Sequence, residues 1–110
     1  MEKLFAITST GKTEKSFLDL RFGKCLNVAF YNPSENIFSV LENPFKNGEN
    51  SGIQLVAFLK EKKITSIITG EVGPKVSDLL EKEKIQLILL PEDKIRIETI
   101  IERISRQRPN

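Results

Sequence analysis

The segment ITSIITGEVGPKVSDLLEKEKIQLILL, residues 64–90, decides the fold. Ile64 to Thr69 is a short apolar run rich in β-branched residues, the pattern of a buried strand. GEVGP is a turn, and the fixed φ of Pro74 suits the first position of a helix running to about Lys82. Ile85 to Leu90 (IQLILL) is continuously apolar, as expected of a strand in a parallel sheet covered on both faces. Strand, helix and strand in this order make a right-handed βαβ crossover.

Upstream, Ser51 can cap a helix reaching about Lys62. Ile53, Val56, Ala57 and Lys60 fall on one face and Leu55, Phe58 and Leu59 on another, which predicts a helix buried almost all round. Downstream of Pro91, Ile97, Ile100, Ile101 and Ile104 form one stripe of a last helix, with Glu98, Glu102 and Arg106 spaced four apart on its solvent side. The first half reads differently. Leu4 to Thr8 is a strand, and Leu26 to Asn32 and Ile37 to Glu42 pair around the turn NPSEN. Asn43-Pro44 ends this meander, and FKNGEN is a polar connection. The whole is an α/β chain, β-β-β-α-β-α-β-α, predicted to form one domain over residues 1–110. Its mixed five-stranded sheet would have the order 3-2-1-4-5, the ribonuclease H-like arrangement, with helices on its faces.

Composition excludes several chemistries. The charged fraction is 29%, the apolar fraction 39% and the formal net charge +2, too small a basic excess to indicate a nucleic-acid binder. The basic terminal stretch RISRQRPN reads as the favourable charge of a helix end. A single cysteine rules out an internal disulfide and fits a reducing, cytoplasmic setting. No apolar run approaches membrane-spanning length, and no signal-like segment opens the chain. The sequence has no histidine, which removes the usual general base near neutral pH and makes a conventional zinc site improbable.

The chemistry points to one rim of the sheet. In the predicted topology the first and fourth strands are neighbours whose connections leave in different directions, and ligands favour the crevice beyond such a switch point. Three segments meet there: TSTGKTEKSFLDLRFGKC after the first strand, NGENSGIQ before the first helix, and TGEVGP after the fourth strand. All six glycines fall in them. Any one glycine can be explained as closing a turn, but together they predict a cleft lined by accessible N–H groups that accepts an anion. Lone Cys25 is either a small buried hydrophobe or a thiolate favoured by Arg21 and Lys24. A thiolate suits iron and sulfide, and it could anchor a preassembled anionic cluster whose remaining charge is met by Arg21, Lys24, Lys12 and backbone N–H groups. Two other motifs fail on mechanism. AITSTGKT, residues 6–13, imitates a phosphate-binding loop but does not lead from a strand straight into a helix. A two-metal nuclease needs converging carboxylates, and only Glu71 and Asp19 are near.

RFGKC after a strand and long loop, ENP closing the meander, SGIQLVAFL opening the first helix and IITGEVGPKVSDLL around the fourth strand together resemble the dinitrogenase iron–molybdenum cofactor biosynthesis family. That family includes NifX-like and NafY-like carriers and the carboxy-terminal domain of NifB, and the resemblance runs from about Lys3 to Ile104. It implies a small, non-enzymatic, nitrogenase-accessory-like protein that binds iron–sulfur or iron–molybdenum cofactor precursors weakly and exchanges them with donor and acceptor proteins. The expected protein is a cytoplasmic monomer or weak dimer that engages neither nucleic acid nor membrane. The resemblance puts Arg21, Phe22, Gly23, Lys24 and Cys25 on the recognisable loop and Gly70, Gly73 and Pro74 on the facing turn. Ser9, Thr10 and Gly11, at the end of the first strand, complete the candidate set, with Cys25 as the metal ligand. The chain departs from members that place a histidine near this loop. The alternative expectation is a regulatory or interaction module that binds a phosphate-bearing metabolite or a protein partner through the same loops.

Overall fold

The computed structural model describes residues 2–106; Gln107 to Asn110, the last four residues of the basic terminal stretch, lie outside them. The strands are β1 (Phe5–Ser9), β2 (Asn27–Asn32), β3 (Ile37–Glu42), β4 (Ser66–Thr69) and β5 (Gln86–Leu89), and the helices are α1 (Ser51–Glu61), α2 (Pro74–Lys82) and α3 (Ile97–Arg106). The sheet order is β3-β2-β1-β4-β5. Antiparallel pairing sets Ser9 opposite Asn27 and Asn27 opposite Glu42, while β4 runs parallel to both β1 and β5. This is the expected ribonuclease H-like sheet. Its register brings the ends of β1, β3 and β4 and the start of β2 to one rim.

Central β1 is buried at all five positions, because alternate side chains enter two different cores. Ala6 packs with Val28 and Ile67 beneath Leu55, Val56 and Leu59 of α1 and Leu80 of α2. Phe5 and Ile7 pack with Ala29, Tyr31 and Ile68 beneath Ile97 and Ile100 of α3. Removing a side chain of this size from water stabilises the fold by about 1.5–3 kcal/mol, so this double layer holds the sheet.

Two expectations about burial need correction. Helix α1 is buried on one face only, through Leu55, Val56 and Leu59, whereas Ile53 and Ala57 are exposed. It lies on the sheet with α2 beside it, and nothing among the described residues covers its outer side. Strand β5 is only partly buried and its Leu89 is exposed, because it forms an edge of the sheet. The N-cap position of α1 is Asn50, with no side-chain capping bond, and Ser51 is the first helical residue instead of the expected cap.

The long segment after β1 is tied down along its length. Thr10 N–H donates to the Phe17 carbonyl at 2.9 Å, and Leu18 N–H donates to the Ile95 carbonyl at 2.8 Å. The carbonyls of Ser16 and Glu14 accept from the Ile97 and Glu98 amides at 2.9 Å each. Those are first-turn amides of α3, which have no partner inside the helix. The loop therefore caps the helix on the opposite face of the sheet.

A core truncation separates the two sides of α1. Leu59→Ala should lower unfolding stability by about 2–5 kcal/mol, while Ile53→Ala, on the exposed side, should cost less than about 1 kcal/mol. Urea denaturation of the two variants checks this, and equal losses would contradict the one-sided burial.

Candidate functional site

At the rim, the chain from Asp19 to Leu26 wraps around one buried carboxylate. Asp19 Oδ1 accepts from the Arg21 amide and from Arg21 Nε, both at 3.1 Å, and Oδ2 accepts from Arg21 Nη2 at 3.1 Å and from the Leu26 amide at 3.2 Å. The Asp19 backbone is held as well: its N–H donates to the Thr8 carbonyl at 2.9 Å, and its carbonyl accepts from Thr8 Oγ1 at 2.6 Å. Thr8 Oγ1 shares a further 2.8 Å hydrogen bond with Thr69 Oγ1 across β1 and β4. Charge-assisted bonds of this kind are stronger than neutral ones. The side-chain bond and the Asp19 charge raise the pKa of Arg21 further above its ordinary value.

This knot sorts the loop into inward and outward residues. Phe22 and Cys25 turn into the core with Leu55 and Val56, and Arg21 and Lys24 stay exposed. Gly23 lies hard against the start of α1, where a Cβ would come within 2.5 Å of the Gly52 amide nitrogen. At Gly52 a Cβ would meet Val76 Cγ2 at 2.6 Å, so the first turns of α1 and α2 also approach closely. Lys24 Nζ reaches over to the Gly48 carbonyl at 2.5 Å. Asn43 closes the back: its Nδ2 donates to the carbonyls of Gly23 at 2.9 Å and Cys25 at 3.0 Å.

The result is a cleft of about 370 Å³ lined by Arg21, Phe22, Gly23, Lys24, Ser51, Gly52, Glu71, Val72, Gly73 and Val76. Both helices that open onto it lack a side-chain cap and an acidic residue in the first turn. A helix N-terminus carries roughly half a positive charge and unpaired N–H groups. With Arg21 and Lys24 added, and Asp19 and Glu71 opposed, the rim keeps an excess of about one positive charge. The arrangement can accept an anion by charge and by backbone N–H groups.

Of the sequence-predicted site residues, Arg21, Phe22, Gly23, Lys24 and Gly73 line this cleft. Gly70 does not; it sits under Leu20, whose Cα would be 2.6 Å from an added Cβ. Ser9, Thr10 and Gly11 also lie elsewhere, with Ser9 Oγ donating to the Gly11 carbonyl at 2.8 Å and Thr10 pairing with Phe17. Cys25 requires the largest correction. Its thiol is fully buried and packed in the apolar core, with Asn43 Nδ2 at 3.6 Å from Sγ. Burial, reinforced by the Asp19 charge, pushes this thiol up to about 12. A neutral, enclosed thiol does not present a thiolate to cargo, so the expected metal ligand is a core side chain here. Among the described residues, no group of three or more Cys, Asp or Glu side chains is placed to hold a metal ion. No helix among them is long and apolar enough to cross a membrane.

Ser51, Gly52, Glu71, Val72 and Val76 were missing from the predicted set, although all but Val76 lie in the segments NGENSGIQ and TGEVGP. The signal at α1 was Gly52, a small residue in the first turn, where the close approach of Val76 leaves no room for a Cβ.

The raised Cys25 pKa has a definite sign. Below the usual 9.0 both states keep the proton, whereas between 9.0 and about 12 the unfolded chain releases a proton that the native protein retains. Stability is therefore lost as pH rises through that window. Relative to Cys25→Ala, the wild type should lose roughly a kcal/mol per pH unit there. Denaturant titrations at several alkaline pH values check this, and parallel curves would contradict the enclosed thiol.

The family model described as dinitrogenase iron-molybdenum cofactor matches residues 1–107. The structure of the apo form of the orange protein from Desulfovibrio gigas superposes with a TM-score of 0.84 at 20% identity, covering 94% of this chain and 88% of that one. An NMR structure from Thermotoga, described as a NifB candidate of the DUF35 family, gives a TM-score of 0.79 at 21% identity and covers 97% and 90%. At these identities the two structures establish the shared fold. No curated protein matches the chain.

Proposed function

The chain belongs to the dinitrogenase iron–molybdenum cofactor family, and on that premise we propose that it is a small non-enzymatic carrier of an anionic metal–sulfur species, an iron–sulfur or iron–molybdenum cofactor precursor. One observation carries the reading: two helix N-termini, free of side-chain caps and first-turn acids, open with Lys24 and Arg21 onto one cleft of about 370 Å³. The cargo is held there by charge and by amide N–H groups. Gly23, Gly52 and Gly73 allow its close approach, and Phe22 forms an apolar floor. Cys25, Asn43 and the Asp19–Arg21 pair stand behind the cleft and fix its shape. Holding an anion without covalent ligation suits delivery, because release to an acceptor protein then breaks no metal–thiolate bond.

Anaerobic reconstitution with iron and sulfide tests the reading. The wild type should acquire visible absorption. Gly73→Glu should take up severalfold less, since the side chain enters open space and its carboxylate opposes the cargo; Lys24→Glu should act in the same direction. Cys25→Ala should keep the colour. Loss of colour in Cys25→Ala together with full uptake in Gly73→Glu would overturn this mode of binding. Thermal stabilisation by a phosphate-bearing metabolite, with no response to iron and sulfide, would favour the regulatory-module alternative at the same cleft.

A further inference from the structure

The far edge of the sheet carries a second feature, independent of the cleft. Strand β3 is an edge strand of six residues, IFSVLE, with β2 on one side only. An edge strand exposes a row of unpaired backbone N–H and C=O groups, and proteins commonly blunt such edges with lysine, proline, bulges or short length. The opposite edge is blunted: β5 has four residues and the chain meets Pro91 soon after. Residues 37–42 contain neither lysine nor proline. The register with β2 runs unbroken from Ile37 to Glu42, without a bulge. One face of the strand is also uncovered and apolar, with Ile37 53% and Leu41 42% exposed on either side of exposed Ser39. These three residues line a groove of about 570 Å³ whose other wall includes Lys62 and Ile64.

We propose that this edge is a homodimer interface, in which β3 pairs antiparallel with β3 of a second copy about a two-fold axis at Ser39. The two five-stranded sheets would join into one continuous sheet. A two-fold axis perpendicular to the sheet keeps each face on its own side, so residues of equal parity must stand opposite one another. Centring on Ser39 puts Ile37 opposite the partner's Leu41 and Phe38 opposite the partner's Val40, apolar against apolar on both sides of a central Ser39 pair. Centring on Val40 would put Phe38 opposite the partner's Glu42, and centring on Phe38 would put Leu41 opposite the partner's Glu35. The strand pattern therefore selects one register.

Charge complementarity favours a second copy as the occupant. The start of β3 is acidic: Glu35 is exposed there, and Glu2 accepts from Asn32 and Ser34. At its end, Lys46 lies 2.6 Å from Glu42, and Lys12 is near enough to act on the same carboxylate. Antiparallel pairing about Ser39 sets Glu42, with its two lysines, beside the partner's Asn36 and the partner's Glu35. Each acidic start then meets a basic end, twice by symmetry.

Sedimentation and crosslinking of the full chain test this. The wild type should approach twice the monomer mass as concentration rises. Ile37→Lys combined with Leu41→Lys should remain monomeric with an unchanged circular dichroism spectrum. Directly opposed residues in an antiparallel pair have Cα atoms about 4.5–5.5 Å apart, within disulfide range. Ser39→Cys should therefore crosslink under mild oxidation, and Ile37→Cys should not; the natural Cys25 is enclosed. A wild type that stays monomeric at the highest concentration, or a dimer in which Ser39→Cys fails to crosslink, overturns the proposal. Neither result bears on cargo binding, because the cleft and this edge share no residue.

Discussion

The rim of this protein depends on one buried carboxylate. Asp19 is 4% exposed, and a charge so enclosed is tolerated only when donors surround it. It finds four, from the amides of Arg21 and Leu26 and from two nitrogens of the Arg21 guanidinium. Satisfying Asp19 bends the chain so that its residues divide between two destinations. Phe22 and Cys25 complete the core beneath α1, and Arg21, Gly23 and Lys24 form a wall of the cleft. Removing the carboxylate's partners would leave a buried charge uncompensated, which costs far more than the pair contributes when intact. The wall of the candidate cleft is thus coupled to the core through the Asp19 carboxylate, with Asn43 bracing the Gly23 and Cys25 carbonyls.

From that knot the remaining geometry follows by packing. Gly23 approaches α1 because neither it nor Gly52 carries a Cβ, and Gly52 admits Val76 of α2 for the same reason. Two helix N-termini are thereby drawn to one place, and neither is claimed by a side-chain cap. Glu71 keeps the cleft from being purely cationic, which suits the release that the proposed carrier role requires. The long loop belongs to both halves of the molecule, since its carbonyls also cap α3 on the other face.

Much of the architecture was legible in the sequence. The period change between the two halves, Pro74 at the first helical position and the isoleucine stripe of α3 fixed the element order and hence the sheet. The errors have a common physical origin, because periodicity reports apolarity and not neighbours. IQLILL reads the same in a central strand and at an edge, and Leu89 is exposed because no sixth strand among the described residues pairs with β5. Ile53 and Ala57 likewise look like core until α1 is seen to have one covered side. At the site, the cations of DLRFGKC suggested an activated Cys25. Arg21, however, is engaged by Asp19, and the backbone turns the sulfur away from Lys24 into the core. No local spacing reveals that Asn43, distant in sequence, seals the thiol from behind.

The central claim is that cargo is gripped by amide N–H groups at the joined helix starts and not by the thiol. Amide-resolved NMR during anaerobic titration with an anionic metal–sulfur species tests it most directly. The account predicts that the Gly23, Gly52, Gly73 and Val76 amides move together and saturate at one stoichiometry, while the Cys25 side-chain resonances stay in place. Shifts centred on Cys25, or on Ser9 to Gly11, with the helix-start amides unmoved, would contradict it.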